Sequence, residues 1–305
     1  MRSQTVCESA IIASLMMPAA TLYAQSLEPR VYANIPVGMN FLVAGYQNSK
    51  GGLLFDPALP ITDADLDVDM GVLGYVRSVD VSGKAGKFGV ILPYASLSGD
   101  GYLQDEYLTR EQTGLADPQF YFSYSFYGAP ALSASEFSSY QQDPILGVAI
   151  KVTAPLGVYQ PEKLVNIGTN RWSFTPEIGV SKTIGRWLAE FDTAVTFYTD
   201  NDEFDVDKTR QQEPVYSAQA HIIYTFPSQV WASVGTTYYT GGRTSVDGVT
   251  NNDLQQNWRT GFTLALPVNR NNSVKIYASS GVSTRTGTDY ETLGILWQYR
   301  WGGGV

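Results

Sequence analysis

One histidine and one cysteine narrow the covalent chemistry open to this chain of 305 residues. Ser217 stands four positions before His221 on the same side of an alternating segment, a hydroxyl nucleophile on the face of the sole candidate base. A lipid-cleaving pair must face lipid, whereas His221 shares its side with Gln219 and Thr225, so it reads as a polar filling residue. A single histidine rules out a two-histidine zinc spacing. Asp200, Asp202, Glu203, Asp205 and Asp207 crowd one stretch, and Asp56 and Asp63 mark another. Carboxylates suit Ca²⁺, but the spacing fits no calcium-loop template and lacks the glycine an EF-hand requires. They read as solvated loops. Gly302-Gly303-Gly304 precedes no helix, so it is no phosphate loop. The expectation is no catalytic residue, no cofactor and no metal.

What remains is electrostatic chemistry, and its meaning depends on the elements that carry it. Composition bounds those elements. The chain is 44% hydrophobic and 13% aromatic but only 16% charged, against about 25% charge in ordinary soluble domains. A mean hydropathy of −0.12 does not fit a helical membrane protein. The abundance of aromatics excludes disorder. A net charge of −9 and a pI near 4.6 argue against a nucleic-acid partner.

Alternation with period two dominates from Met39 to Trp301. In Gln119–Phe126 the aromatics fall on even positions and mostly polar groups on odd ones, and Tyr216–Phe226, Trp258–Leu266 and Thr292–Trp301 alternate likewise. About twelve such segments follow one another, centred near Val43, Val72, Ile91, Phe122, Val148, Pro176, Ala194, Ala220, Val234, Leu264, Ala278 and Leu296. Trp172, Trp187, Trp231, Trp258, Trp297 and Trp301 stand at segment ends, as in the aromatic girdles of transmembrane barrels. Short connections (182–185, 227–228, 269–272) alternate with long polar ones (98–116, 200–212, 241–256). Short periplasmic turns and long external loops are the outer-membrane pattern, and the stretch 127–143 is the one long connection on the periplasmic side. The fold class expected is all-β, a transmembrane antiparallel barrel of about twelve strands.

Residues 1–24 read as a signal peptide, with Arg2, an apolar run over 10–20 and a cut after Ala24. Cys7 leaves with it, so disulfides are excluded from the exported chain. Residues 25–38, with Pro29 and Pro36, form an N-terminal segment at the periplasmic mouth or in the lumen; 39–301 form a single barrel and 302–305 a tail. Trp297, Tyr299 and Trp301 give the last strand the aromatic end that assembly machinery reads, four residues before the terminus.

With aliphatics and aromatics toward lipid, the opposite faces line the lumen. Those faces carry Asp67, Asp69, Lys151, Glu177, Glu190, Asp192, Arg259, Lys275 and Arg300, with Tyr121, Tyr198, Tyr239 and Tyr277. Acids gather on the sixth and seventh strands and bases on the tenth to twelfth, roughly opposed. Either the two walls set up a field across an aqueous pore, or the charges pair and fill a narrow interior. The tyrosines offer stacking surfaces to aromatic solutes or are ordinary filling.

Several stretches resemble the outer-membrane transporter family known as the MetA-pathway of phenol degradation. They are Leu27-Glu28-Pro29-Arg30, Pro36–Leu42, Thr153–Gly157, Asn166–Trp172, Thr199–Asp202, Tyr239–Thr244 and Leu266–Asn269. The resemblance implies a β-barrel and passage of aromatic or other small apolar compounds, and it brings no agreed binding residues. The function expected is a channel or transporter for such compounds by facilitated diffusion in the bacterial outer membrane. A barrel enzyme acting on lipids and a structural or adhesion barrel are the alternatives. The expected partners are outer-membrane lipid and lipopolysaccharide, the barrel assembly machinery and a small-molecule solute.

Overall fold

A computed structural model describes residues 28–52, 61–103, 106–286 and 289–303. The leader expected over 1–24, the residues 25–27, Asp56 and the last two residues lie outside them, as does the side chain of Asp63. The first strands are β1 (Met39–Gly52), β2 (Ile61–Val81), β3 (Lys84–Leu103), β4 (Glu106–Leu115) and β5 (Gln119–Tyr127). A one-turn helix α1 (Ala134–Phe137) follows, then β6 (Ile145–Thr153), β7 (Ser173–Ile184), β8 (Trp187–Tyr198), β9 (Asn201–Phe204) and β10 (Lys208–Gln212). The chain continues through β11 (Val215–Thr225), β12 (Trp231–Gly241), β13 (Thr244–Val246), β14 (Val249–Thr250), β15 (Gln255–Pro267), β16 (Asn272–Ser283) and β17 (Asp289–Gly302).

Each barrel strand pairs antiparallel with its neighbours, and β1 pairs with β17 from Met39 opposite Gly302 to Gly52 opposite Asp289, which closes the sheet. β4 and β5 both pair with β3, so they are two halves of one wall strand broken at Ala116-Asp117-Pro118. The ring therefore has twelve strands. Closure leaves no unpaired edge in lipid, the condition that any membrane-spanning sheet must meet.

One end of the barrel carries tight turns. At Ser82-Gly83 both residues have positive φ (51° and 79°), the twist that a two-residue hairpin requires, and Asp80 accepts from the Gly83 amide at 2.7 Å. α1 lies at the same end, closed by a capping box between Ser133 and Glu136. At the other end β9, β10, β13 and β14 form a separate four-stranded sheet from two long connections.

The outward face is the apolar one. Leu92, Phe120, Phe122, Ile150, Phe191, Ile222, Phe262 and Ile295 are all exposed. Rings mark both edges of this band: Trp187, Tyr224 and Phe226 with Trp297, Tyr299 and Trp301 at the turn end, Trp172–Phe174 and Tyr238–Trp258 at the other. An apolar belt between aromatic girdles on a closed ring makes this an outer-membrane barrel.

Three expectations need correction. Trp231 is no girdle residue: it is completely buried on the inner face, with the Arg30 guanidinium 4.9 Å from its ring centre. Within the polar connection expected over 98–116, residues 98–103 and 106–115 are no loop but belong to β3 and β4. Asp67 and Asp69 do not line the lumen. They lie on the outer side of β2, where Lys50 meets Asp67 at 2.7 Å, Asn48 donates to both and Tyr46 donates to Asp69. The inward positions of β2 are Leu66, Val68, Met70 and Val72. The reason is length. β2 has 21 residues, twice the 9–11 or so that cross a bilayer. Its far half stands above the lipid, so the outer face turns polar there and the apolar residues point inward.

The break in the fourth wall strand fastens the connection between β6 and β7. Asp117 accepts from the amides of Gly157 (2.8 Å) and Thr169 (2.9 Å) and from the Thr169 hydroxyl (2.7 Å). Loss of that carboxylate leaves donors unpaired, at about 1–3 kcal/mol for each one buried. Asp117→Ala is thus expected to make residues 154–172 sensitive to limited proteolysis while the barrel keeps its heat-modifiable mobility; unchanged cleavage would refute the anchor.

Candidate functional site

The segment before β1 crosses the lumen. Two prolines and its polar residues keep it from joining the ladder, and residues 28–36 bond to inward side chains or to the turn-end connection. Glu28 ion-pairs with Lys275 on β16, with both side chains nearly buried. The Arg30 amide donates to Glu190 on β8, its guanidinium donates to Thr225 at 2.6 Å and lies over Trp231. Arg30 itself has φ 69°, a left-handed conformation that a non-glycine residue keeps only where its surroundings over-determine it. The Tyr32 hydroxyl donates to Glu177 on β7. Lys87 on β3 donates to the carbonyls of Val31 (2.8 Å) and Ala33 (2.9 Å). Asn34 reaches the Pro130 carbonyl, and Ser78 on β2 donates to Pro36.

The segment therefore answers the polar pattern of the walls: its acid meets a base on β16, its Arg30 amide meets an acid on β8, and the Arg30 guanidinium meets Thr225 on β11 and Trp231 on β12. Lys151, Glu190 and Asp192 occupy inner positions of β6 and β8, and Glu177 the inner face of β7. Arg259 is buried on β15, its guanidinium 3.8 Å from the Tyr290 ring centre and bonded to the Tyr290 carbonyl and Ser279. Arg300 takes an inner register position but sits at the rim, donating to the Arg270 carbonyl at 2.6 Å, so it does not extend the Lys275 wall. Among the tyrosines, Tyr277 donates to Gln47, Tyr198 lies under the Arg171 guanidinium at 4.5 Å, Tyr239 is wholly buried, and Tyr121 stands opposite Lys151 in register. His221 packs its ring over Gly235. Ser217 is four strand positions away, about 13 Å along an extended chain, too far for a nucleophile to pass it a proton.

A second part of the lumen is apolar. Phe41 and Val43 on β1, Leu66, Val68 and Met70 on β2, Ile91 and Leu97 on β3, and Leu296 on β17 form one buried group. Ile35 of the crossing segment joins it from one end, and Val165, Ile167 and Phe204 of the long connections join it from the other. Polar bonds hold those connections in: Gln112 accepts from the Ile167 amide, Arg110 donates to the Val165 carbonyl, and Asp253 accepts from Thr244. Wall residues on both sides of the lumen, such as Met70 on β2 and Arg259 on β15, are 1% exposed, so no wide aqueous bore runs past them in this state.

Glu28, Arg30, Tyr32 and Lys87 were not among the lumen-lining residues read from the sequence, although Glu28 and Arg30 stand in a stretch that carries the family resemblance. Lys87 could have been found, because it alternates with Phe88 and Val90 on β3. The signal for the others is fainter: opposite charges either side of Pro29, in a segment too proline-rich for the sheet.

Residues 44–299 match the family described as "Putative MetA-pathway of phenol degradation". The chain belongs to this family. Among solved structures, an outer membrane channel from Pseudomonas putida F1 is similar over 90% of this chain and 99% of its own, with 20% identity and a TM-score of 0.74. The β domain of the Bordetella autotransporter BrkA covers 87% of this chain and 100% of its own at 11% identity, with a TM-score of 0.49. At such identities the likeness to the first is one of fold, and the second bears no further weight. No curated protein sequence matches the chain significantly. Family membership spans all twelve wall strands but stops short of the crossing segment, which lies before residue 44.

Two measurements check how that segment is held. Lys275→Ala leaves Glu28 buried without its partner and is expected to destabilise the docked segment by about 3–5 kcal/mol. Lys87→Met removes two charge-assisted bonds, about 1.5–3 kcal/mol each. In a background with Cys7→Ser and a reporter Ala33→Cys, both are expected to speed labelling by a bulky maleimide at least about tenfold; equal labelling rates would show that neither lysine holds the segment.

Proposed function

We propose that this barrel is a channel for small aromatic or hydrophobic compounds, which cross by facilitated diffusion through the lumen. The observation that carries this reading is the apolar inner wall of β1–β3 and β17. Barrels that conduct ions and hydrophilic solutes have polar interiors. An inner surface of Phe41, Val68, Met70, Ile91 and Leu97 gains nothing from a water-filled bore, whereas it suits an apolar solute that sheds its hydration on the way. Facing it, the charged and hydroxyl-bearing wall of β6–β8 offers polar groups that fix orientation.

On this reading the lumen is closed. Residues 28–38 obstruct the turn end, and the 154–172 connection with the β9–β10 and β13–β14 hairpins covers the other. Residues 28–36 of the crossing segment are held by bonds to wall side chains rather than by a strand ladder; backbone bonds to the barrel begin only at Val37 and Gly38, which meet the Leu132 and Ser78 carbonyls, so release of 28–36 leaves the wall ladder intact. Passage therefore couples to displacement of that segment.

Uptake of a radiolabelled alkylphenol or toluene by cells with and without the gene tests the reading. Faster uptake with the gene is expected, and equal uptake would refute it. Deletion of residues 28–35 is expected to raise the single-channel current in planar bilayers several-fold over the full-length protein. A deleted form as silent as the full chain would show that the segment does not by itself control passage.

A further inference from the structure

The Tyr32 side chain is a phenol, and the wall has a slot shaped to it. Its ring packs against Gly147 of β6 and Gly179 of β7, which are register partners across the two strands. A Cβ on Gly179 would stand 2.1 Å from the ring, and one on Gly147 2.8 Å from it. Neither glycine has the positive φ that demands glycine for backbone reasons. Their smallness thus serves the space above them. Ala149, opposite Glu177, continues the shallow floor, and Asp192 borders it on β8. At the edge of this floor the Glu177 carboxylate accepts the Tyr32 hydroxyl. Two other rings press closely on glycines, Tyr277 on Gly294 and His221 on Gly235, and both do so between register partners of neighbouring wall strands. Tyr32 alone among the three reaches its slot from a segment outside the sheet.

We propose that this slot is a binding site for phenolic solutes and that Tyr32 occupies it as a resident mimic of the solute. The proposal rests on the channel reading above and adds to it a location, a ligand class and a trigger. A phenol recognised here lays its ring on Gly147 and Gly179 and donates its hydroxyl to Glu177. The ring of Tyr32 and that of the solute cannot both be present, so an arriving phenol competes with the crossing segment. A ligand that binds only the undocked state shifts the population toward that state in proportion to its occupancy. The solute would thereby loosen the obstruction to its own passage. Toluene has the ring without the donor, so it fits the floor but leaves Glu177 unsatisfied and competes less well.

The test is titration of the purified full-length barrel in detergent with p-cresol and, separately, toluene. Tyr32→Ala is expected to bind p-cresol at least tenfold more tightly than the unaltered protein. Adding Gly179→Val should abolish that gain, while adding Glu177→Gln should weaken p-cresol about tenfold and leave toluene unchanged. In the unaltered lumen, with Cys7→Ser and the Ala33→Cys reporter, p-cresol should speed maleimide labelling more than toluene at equal concentration. This second measurement stands even where Tyr32→Ala fails to fold. No gain on Tyr32→Ala, a gain untouched by Gly179→Val, or labelling indifferent to p-cresol would each overturn the site. Gene-dependent uptake with no binding gain would sink the slot and leave the channel. A binding gain without gene-dependent uptake would sink the channel and leave the slot.

Discussion

Closure of the sheet between β1 and β17 is the constraint on which everything else depends. Inside a bilayer no water is available to satisfy a free amide or carbonyl, so the ladder must return upon itself. Fourteen residues of β1 are matched by fourteen of β17, and no edge is left to lipid. Once the ring is closed, period-two alternation has only two destinations. One face of each strand meets lipid or, beyond it, water; the other meets the lumen. The same alternation therefore gives Phe120 and Phe122 to the membrane and Tyr121 and Ser123 to the interior.

A twelve-stranded ring encloses a space that inward side chains alone do not fill. Here the chain fills it with itself. From the turn end, residues 28–38 place an acid on Lys275, a base and an amide against β8 and β11, and a ring on β6–β7. From the other end, Val165, Ile167 and Phe204 complete the apolar wall. Burying ions in such a place is costly unless each finds a partner. The crossing segment supplies partners to groups that would otherwise face one another across a gap, and it does so through side-chain bonds that can be broken and remade. A closed interior of this kind is compatible with transport only because its obstruction is not part of the ladder.

Much of the barrel was legible because alternation is a one-dimensional signal. All twelve centres read from the sequence, from Val43 to Leu296, fall inside wall strands. The connections read less well. Residues 98–116 look like a polar loop because the outer face of β3 and β4 carries Ser96, Ser98, Asp100 and Thr113, yet these strands simply outrun the lipid. Asp67 and Asp69 misled for the same reason: polarity marks the lumen face only at the depth of the membrane. Trp231 misled in the opposite sense, an aromatic at a strand end that turns inward because a guanidinium covers it.

The sequence by itself determined the class of fold, the strand number and the family, since each follows from local period, turn spacing and motif. Only the tertiary structure decided what occupies the lumen. Gly147 and Gly179 are 32 positions apart along the chain, and Tyr32 precedes both by more than a hundred residues. Their meeting depends on the register of β6 against β7 and on the path of a segment that has no period at all. Alternation tells which way a side chain points, but it carries no information about what comes from elsewhere in the chain to meet it.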